Sequence, residues 1–429
     1  MSIYRYEGAF GAWDVTSRAM RKALETWQRL YYDDTVTPEK DPCQRIAYAV
    51  VTKICKTVFG EYKAASRQEA AARLVAALDA VCKEAMQLAL VEGECYLKPC
   101  PVGEGFAFRP VARHNVLIFG RDAAGCPTDM GMVEESVRGS WYFTLLERRR
   151  LDENGCLVLT HRLYRSRSRE SLGSPVGLEF HPDYKDLPQQ QVIDLGGSLG
   201  LIRIKTPMLG CVEPGPEPVA VYAAAAGLIE NIDRNEAQLS GEFSRGESRI
   251  LLSADLMDRQ RPWDRVFVAL DDDPENAGMT VFAPQLREQS FLARKQEYLR
   301  NVESIVGLKR GLLSDANTED RTATEIASSA GDYNLTIMDF QRMWEDGLRE
   351  ALRLCARLAG LYGLPVPDGA VDVDWGNGVL YDEDKTWAEY KAMVAAGLLK
   401  PEIALAWRFN MASETAEDLK RVRERLMPE

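Results

Sequence analysis

The chain reads as an α+β protein: helices at the start and through the second half, with a mostly antiparallel β region inserted between them. Three observations predict this. The first ninety residues carry apolar stripes at helical spacing. From Glu94 to about Lys205 the pattern switches to short β-type runs broken by Gly, Pro, Asp and Asn. Further on, Ile326, Ala330, Tyr333, Ile337, Phe340, Trp344, Leu348, Leu352, Cys355 and Leu358 recur every three or four residues. That repeat is the apolar seam of a helix of roughly forty residues, about 60 Å long at 1.5 Å per residue.

Helices are expected over Asp14–Tyr32, Cys43–Phe59 and Ser66–Val91. The third opens on Ser66-Arg-Gln-Glu69, which fits a capping box, and Gly93 follows its end. The β region offers ECYLKPC, FAFRPVA, NVLIF, WYFTLLERR, CLVLTHRLYR, VGLEFH and LGLIRIK, with Asn154-Gly155 as a hairpin signal. After the breaker cluster Pro214–Pro218, a long helix with an alanine-rich first half is expected from Val219 to about Phe243. A strand RILLS follows, then an irregular stretch from Asp255 to Pro284, then a helix from about Gln285 to Val306 that stops at Gly307. The forty-residue helix comes next. After Pro365 and Pro367 a short strand VDVDW and two or three small helices finish the chain.

With 429 residues, 46% hydrophobic and 28% charged, the composition is that of a globular protein large enough for two or three cores. The start, MSIYRYEGAF, has no basic and then apolar leader pattern. The longest apolar run, Val219 to Ile229, is too short to span a bilayer, so neither secretion nor membrane insertion is expected. Nine cysteines without a Cys-x-x-Cys pair read as reduced thiols. The three histidines, 114, 161 and 181, form no zinc-spaced cluster with them, and no metal or other cofactor is expected. The net charge of −12 is opposite in sign to the footprint of a protein that grips nucleic acid. It suits a protein that surrounds DNA and lets it slide, because an acidic wall leaves the duplex hydrated whereas each cation–phosphate pair adds friction.

The stretch from Val306 to Ile337 carries the most information about function. It holds Gly307-Leu308, a short polar loop, then Arg321-Thr-Ala-Thr-Glu-Ile326 and Tyr333-Asn-Leu-Thr-Ile337 ahead of a long amphipathic helix. Collinear with it are Ala89-Leu-Val-Glu-Gly-Glu-Cys-Tyr-Leu-Lys98, Ile229-Glu-Asn-Ile-Asp233 with Glu242 and Gly246, and Val373-Asp-Trp-Gly-Asn-Gly-Val-Leu380 with Asp382 and Ala396-Gly-Leu-Leu-Lys-Pro401. In this order the segments resemble the portal proteins of long-tailed (siphovirus-type) bacteriophages. Two departures stand out. Lys309-Arg310 follows the Gly-Leu turn where relatives commonly place a serine or threonine, and the short C-terminal part leaves little room for a large crown.

The resemblance implies a portal-type, ring-forming fold. Residues 1–217 would form a wing, 218–249 a first stem helix and its exit, 250–284 a clip, and 285–307 a second stem helix. Residues 308–321 would form a tunnel loop, 322–364 a long spine helix, and 365–429 a strand and helices of a reduced crown. It also implies a structural, non-enzymatic protein: a ring of about twelve copies at one capsid vertex of the virion. That ring would assemble in the host cytoplasm, away from any membrane. Double-stranded DNA would pass through it without sequence preference. Its partners would be the terminase large subunit, head–tail adaptors, the major capsid protein and scaffold.

Lys309, Arg310 and Arg321 are then the residues expected to touch DNA; the alternative is a solvated loop, or salt bridges to Asp315, Glu319 and Asp320. Thr322, Thr324 and Glu325 read as structural, with Asp320 or Thr322 capping a helix and Glu325 complementing its dipole. Asp372 and Asp374, with Asp382, offer the competing reading of a metal-dependent nuclease, set against a solvated face of an edge strand. A smaller head–tail adaptor is a third reading. The runs Arg148–Arg150 and Arg165–Glu170 are candidate contacts between subunits or solvated strand ends. Gly196–Gly200 lacks the Lys-Ser/Thr of a phosphate loop, so no nucleotide site is expected there.

Overall fold

The computed structural model describes residues 3–32, 43–246, 249–253, 267–270, 279–282, 285–315, 323–376, 383–409, 413 and 416–427. For 249–253, 267–270, 279–282, 323–332, 383–386 and 416 the backbone alone is described. The chain divides into two units, 1–374 and 375–429.

The first unit opens with α1 (Glu7–Phe10), α2 (Arg18–Tyr32) and α3 (Ile46–Val58). Met20, Leu24, Trp27 and Leu30 place the buried stripe of α2 three or four residues apart, as its period demands. The helix expected over Ser66–Val91 is instead β1 (Lys63–Ser66), α4 (Glu69–Asp79) and α5 (Cys82–Glu92). Ser66 is not a cap. Its hydroxyl donates to the Ala370 carbonyl at 2.7 Å, and the Gln68 side chain takes the capping role by accepting from Ala71 N at 2.6 Å. Gly93 ends α5 at φ 87°, where a Cβ would collide with the Pro218 backbone.

The β region comprises β2 (Glu94–Val102), β3 (Gly105–Ala112), β4 (Val116–Arg121), β5 (Pro127–Arg138), β6 (Trp141–Leu151), β7 (Leu157–Ser166), β8 (Ser174–Val176), β9 (Gln190–Ile193) and β10 (Ile202–Lys205). Two antiparallel sheets result, β10-β2-β3 and β4-β5-β6-β7-β8, with β9 also on β7. The Asn154-Gly155 hairpin forms as read: Gly155 takes φ 77°, and the Asp152 carboxylate accepts from Asn154 N and Cys156 N. VGLEFH is not a strand, because β8 ends at Val176 and Leu178–Phe180 is a 3-10 turn.

Next come α6 (Ala226–Arg245), β11 (Arg249–Ser253), β12 (Phe267–Leu270), β13 (Met279–Phe282), α7 (Glu288–Val306), α8 (Ala323–Tyr362) and β14 (Val371–Asp374). The helix expected from Val219 starts seven residues later, at Ala226. Before it, Val219 and Val221 are tied to other parts of the fold, with the Thr206 hydroxyl donating to Val219 O at 2.7 Å and Val221 N to Leu90 O at 2.9 Å. RILLS is β11, as expected, and the stretch expected to be irregular supplies β12 and β13, which flank it in a small mixed sheet, parallel on one side and antiparallel on the other.

The long helix α8 has the forty residues its period predicted. Tyr333, Ile337, Phe340, Trp344, Leu348 and Cys355 are buried along it. Gly347 allows β10 to approach, since a Cβ there would collide with Ile204. β14 pairs with β1. In the second unit, α9 (Glu383–Ala395), α10 (Pro401–Arg408) and α11 (Ala416–Leu426) pack around Trp387 stacked on Trp407, and Arg423 pairs with Glu402.

Candidate functional site

Helices α6 and α7 run antiparallel. Asn235 Nδ2 donates to Phe291 O at 3.1 Å, Lys295 meets Glu236 at 2.9 Å, and Arg287 meets Glu242 at 2.6 Å. On α7, Arg287, Phe291, Arg294 and Tyr298 form one stripe, and α6 faces it with Arg234, Asn235, Glu242 and Arg245. The cleft between them, about 750 Å³, holds four arginines and one carboxylate. Only Arg287 is matched by that carboxylate. Arg234 donates to Asn231 Oδ1, Arg245 to Gly241 O and Arg294 to the Tyr298 hydroxyl, so three cations in an acidic chain keep an open face. These dispersed arginines made no run in the sequence, and only the pairing of the two helices collects them.

At the end of α7 the chain turns at Gly307, which takes φ 76°. A Cβ there would collide with Thr336, so the Gly307-Leu308 turn and the Tyr333–Ile337 segment, far apart in sequence, are in contact. Tyr333 reaches further, sharing a 2.7 Å hydrogen bond with the Thr57 hydroxyl. The loop beyond is ordered by a group the sequence did not single out. Glu303 is 0% exposed, and its carboxylate accepts from the backbone N–H of Gly311, Leu313 and Ser314 and from the Ser314 hydroxyl. Asp315 N donates to Gln296 Oε1 at 2.9 Å. A buried carboxylate surrounded by donors is satisfied without a counter-cation. It also folds the loop back onto α7. In sequence Glu303 looked like one more charge in a polar helix.

Lys309, half-buried, and Arg310, exposed, lie on this loop at the turn closed by Leu312 N to Lys309 O. Arg321 and Thr322 fall outside the described residues, as do the side chains of Thr324 and Glu325. The backbone of Thr324 and Glu325 lies in the first turn of α8, which begins immediately after Thr322. The structure therefore brings Lys309 and Arg310 together and gives no geometry for the other three side chains or for the cap.

Asp372 and Asp374 point to the exposed face of β14, alternating with half-buried Val371 and Val373. Lys63 lies opposite Asp374 in register; Asp382 is outside the described residues. Among the described residues no group of three or more His, Cys, Asp or Glu could hold a metal ion. Among them, too, no helix is long and apolar enough to cross a membrane.

Several arginines of the basic runs of the β region are engaged within the chain. Arg148 makes a two-pronged pair with Asp129 at 3.0 and 2.7 Å, and Arg149 pairs with buried Glu147 at 2.6 Å. Arg165 and Arg167 lie over the Trp141 ring at 4.3 and 3.8 Å. Two carboxylates anchor the sheets. Glu94 bonds Arg203 at 2.6 Å and Arg113 at 3.0 Å, while Glu147 bonds Lys98, Arg149 and His161. Burial alone would raise both acids. The Arg203 and Arg113 charges outweigh it and hold Glu94 below its ordinary value; Arg149, His161 and Lys98 hold Glu147 well below.

A family model described as "Phage portal protein, SPP1 Gp6-like" matches residues 209–428. Among solved structures the chain is similar to one from the neck of a native GTA particle computed with C12 symmetry, at 13% identity and TM-score 0.42, covering 94% of this chain and 97% of that one. It is also similar to one from the neck of an empty GTA particle computed with C6 symmetry, at 12% identity and TM-score 0.45, with the same coverage of 94% and 97%. No curated protein matches the chain.

Proposed function

The chain belongs to the SPP1 Gp6-like family of phage portal proteins, and from that premise we propose that it forms a channel ring at one capsid vertex, the connector between head and tail. The observation that carries this reading is the family match over 209–428, which takes in α6, α7, the loop after them and α8. The family is a structural one, and we assign the chain no chemistry of its own. The match favours neither the nuclease reading of Asp372 and Asp374 nor a smaller adaptor.

In the proposed assembly about twelve copies close through repeated head-to-tail contacts. Helices α6 and α7 are the stem, and the sheet β12-β11-β13 lies in the clip. Residues 308–321 are the tunnel loop, residues 1–217 with α8 form the wing, and 365–429 belongs to the crown. The ring takes its place in the virion after assembly in the host cytoplasm. It docks the terminase large subunit during packaging and head–tail adaptors afterwards, and sits among major capsid protein and scaffold.

Physical considerations support a channel that holds DNA weakly. A chain of net charge −12 repels the duplex on average, leaving it hydrated. A few cations on a defined support then set how strongly it is held, because each phosphate contact releases a counterion and adds a salt-dependent term. Glu303 supplies the support by fixing the loop that carries Lys309 and Arg310. Arg321 completes the trio proposed to touch DNA, and Arg234, Arg245 and Arg294 on the helix pair join them. The test is a DNA packaging assay with K309A/R310A/R321A particles. Reduced packaging or poorer retention of packaged DNA is expected; unchanged packaging and retention would remove the DNA assignment.

A further inference from the structure

A second cleft, about 680 Å³, lies between β10 and the middle of α8, away from the α6/α7 pair. Met130, Leu199, Leu201 and Met343 give it an apolar lining. Two residues that line it carry a solvent-shielded polar atom with no hydrogen-bond partner among the described residues: the hydroxyl of Tyr96, a residue 2% exposed, and Nη2 of Arg203. The other edge of the Arg203 guanidinium is already spent on Glu94. Buried donors left unmade cost free energy, so the cleft is built for an occupant that brings an acceptor oxygen among apolar atoms. Its charges cancel, with Arg203, Lys205 and Arg342 set against Asp339, Asp346 and Glu350. A neutral acceptor such as a peptide carbonyl suits it better than an anion.

The same chain carries a matching projection. Trp13 is 77% exposed, yet the loop beneath it is fixed from both sides. The buried Asp14 carboxylate accepts from Thr16 N and Ile118 N, Asp14 N donates to Glu7, and Val15 N donates to Ile118 O. An exposed indole on a pre-ordered loop binds with little further loss of entropy, which is how interface anchors are made. The segment bearing it packs through Tyr6 and Phe10 with Leu117, Val133 and Leu146 of the larger sheet. The cleft shares Tyr96, Met130 and Leu201 with the cluster that holds Val116, Ile118 and Met132; Val116, Ile118, Met130 and Met132 lie on one face of the larger sheet, and Leu117 and Val133, their neighbours in sequence, on the other. The Trp13 loop lies along the edge strand β4 through its bonds to Ile118, whereas the cleft borders the Met130 face, and two different surfaces of one copy suit a head-to-tail contact, not a two-fold one.

We propose that this cleft is the receiving half of the contact between copies, and that it takes the Trp13 loop of a second copy. The indole packs on Met130, Leu199, Leu201 and Met343, and a backbone carbonyl of the entering loop accepts from Tyr96 and Arg203. The inference rests on the ring reading above. Cys126 lines the cleft and is exposed, which provides a native probe. Cys211, the other exposed cysteine, is replaced by serine in all samples so that the label reports on the cleft. The full chain is separated by size-exclusion chromatography into rings and monomers, each identified by native mass spectrometry. Each fraction is treated with a maleimide, and the labelled peptides are mapped. The expected result is labelling of Cys126 in the monomer and loss of that labelling in the ring. Trp13→Ala should abolish the ring while leaving a folded monomer by circular dichroism, and Trp13→Phe should restore it. Rings whose Cys126 labels as fast as in the monomer, or Trp13→Ala rings that persist, would overturn the inference and leave the ring reading standing. Failure of the unaltered Trp13 chain to form rings would overturn both.

Discussion

In the sheets, guanidinium groups are spent inside the chain: Arg113 and Arg203 on Glu94, Arg149 on Glu147, Arg148 on Asp129. In the α6/α7 cleft, Arg234, Arg245 and Arg294 reach only an amide, a carbonyl and a hydroxyl, and their faces stay open. What separates the two sets is the carboxylates beside them. The buried carboxylates Glu94 and Glu147 make structural pairs whose loss strands a charge, whereas the second set lies at a surface where its loss costs little stability. Glu303 is a third case, a buried acid that uses backbone donors to fix a loop and leaves the neighbouring cations uncommitted.

That contrast breaks most sharply at Glu94. Glu94→Ala leaves two buried guanidiniums without their partner and should cost about 3–5 kcal/mol in urea unfolding. Glu303→Ala strands loop donors and should cost roughly 2–3 kcal/mol. Its distinguishing sign is faster hydrogen exchange at the Leu313 and Ser314 amides, with the sheets unchanged. Gly307→Ala meets both a positive φ and the Thr336 side chain and should cost about 1–3 kcal/mol by the same measurement. At the small end, replacing Arg234, Arg245 and Arg294 together by Gln should move stability by no more than ~0.5 kcal/mol per site. The same variant should weaken DNA association and lower its log–log salt slope by about 1 for each arginine that meets a phosphate. A loss of several kcal/mol from that triple variant would place these arginines with the structural set.

Acid separates the regions again. Glu94 and Glu147 have folded-state pKa values below their unfolded ones, so their contribution is complete above the ordinary glutamate value of ~4.3. It drains away as pH falls from there through the lowered folded-state values. Thermal melts taken downward from pH 5 should therefore lose stability below about pH 4, and the loss should be smaller in Glu94→Gln.

How much of this was legible in the sequence depended on whether the determinant was local. The α8 seam was, because Tyr333 to Leu358 repeats with the helix itself. β5 was not, since Glu134, Glu135 and Ser136 dilute its alternation and its pairing with β4 and β6 makes it a strand. The start of α6 was read early because nothing in an alanine-rich run announces that Thr206 and Leu90 tie down Val219 and Val221. Arg148–Arg150 read as a subunit contact or a solvated strand end because Asp129, the partner of Arg148, lies on another strand. Lys309 and Arg310 were found through a family likeness. The residue that positions their loop, Glu303, shows its role only once Gly311–Ser314 folds back over it.

Electron cryomicroscopy of the assembled chain tests the central claim most directly, by showing which surface faces the axis. The account predicts a closed ring with the Glu303-anchored loop, and with it Lys309 and Arg310, turned to the central channel. A ring with that loop on its outer wall, or no closed ring at all, would contradict it.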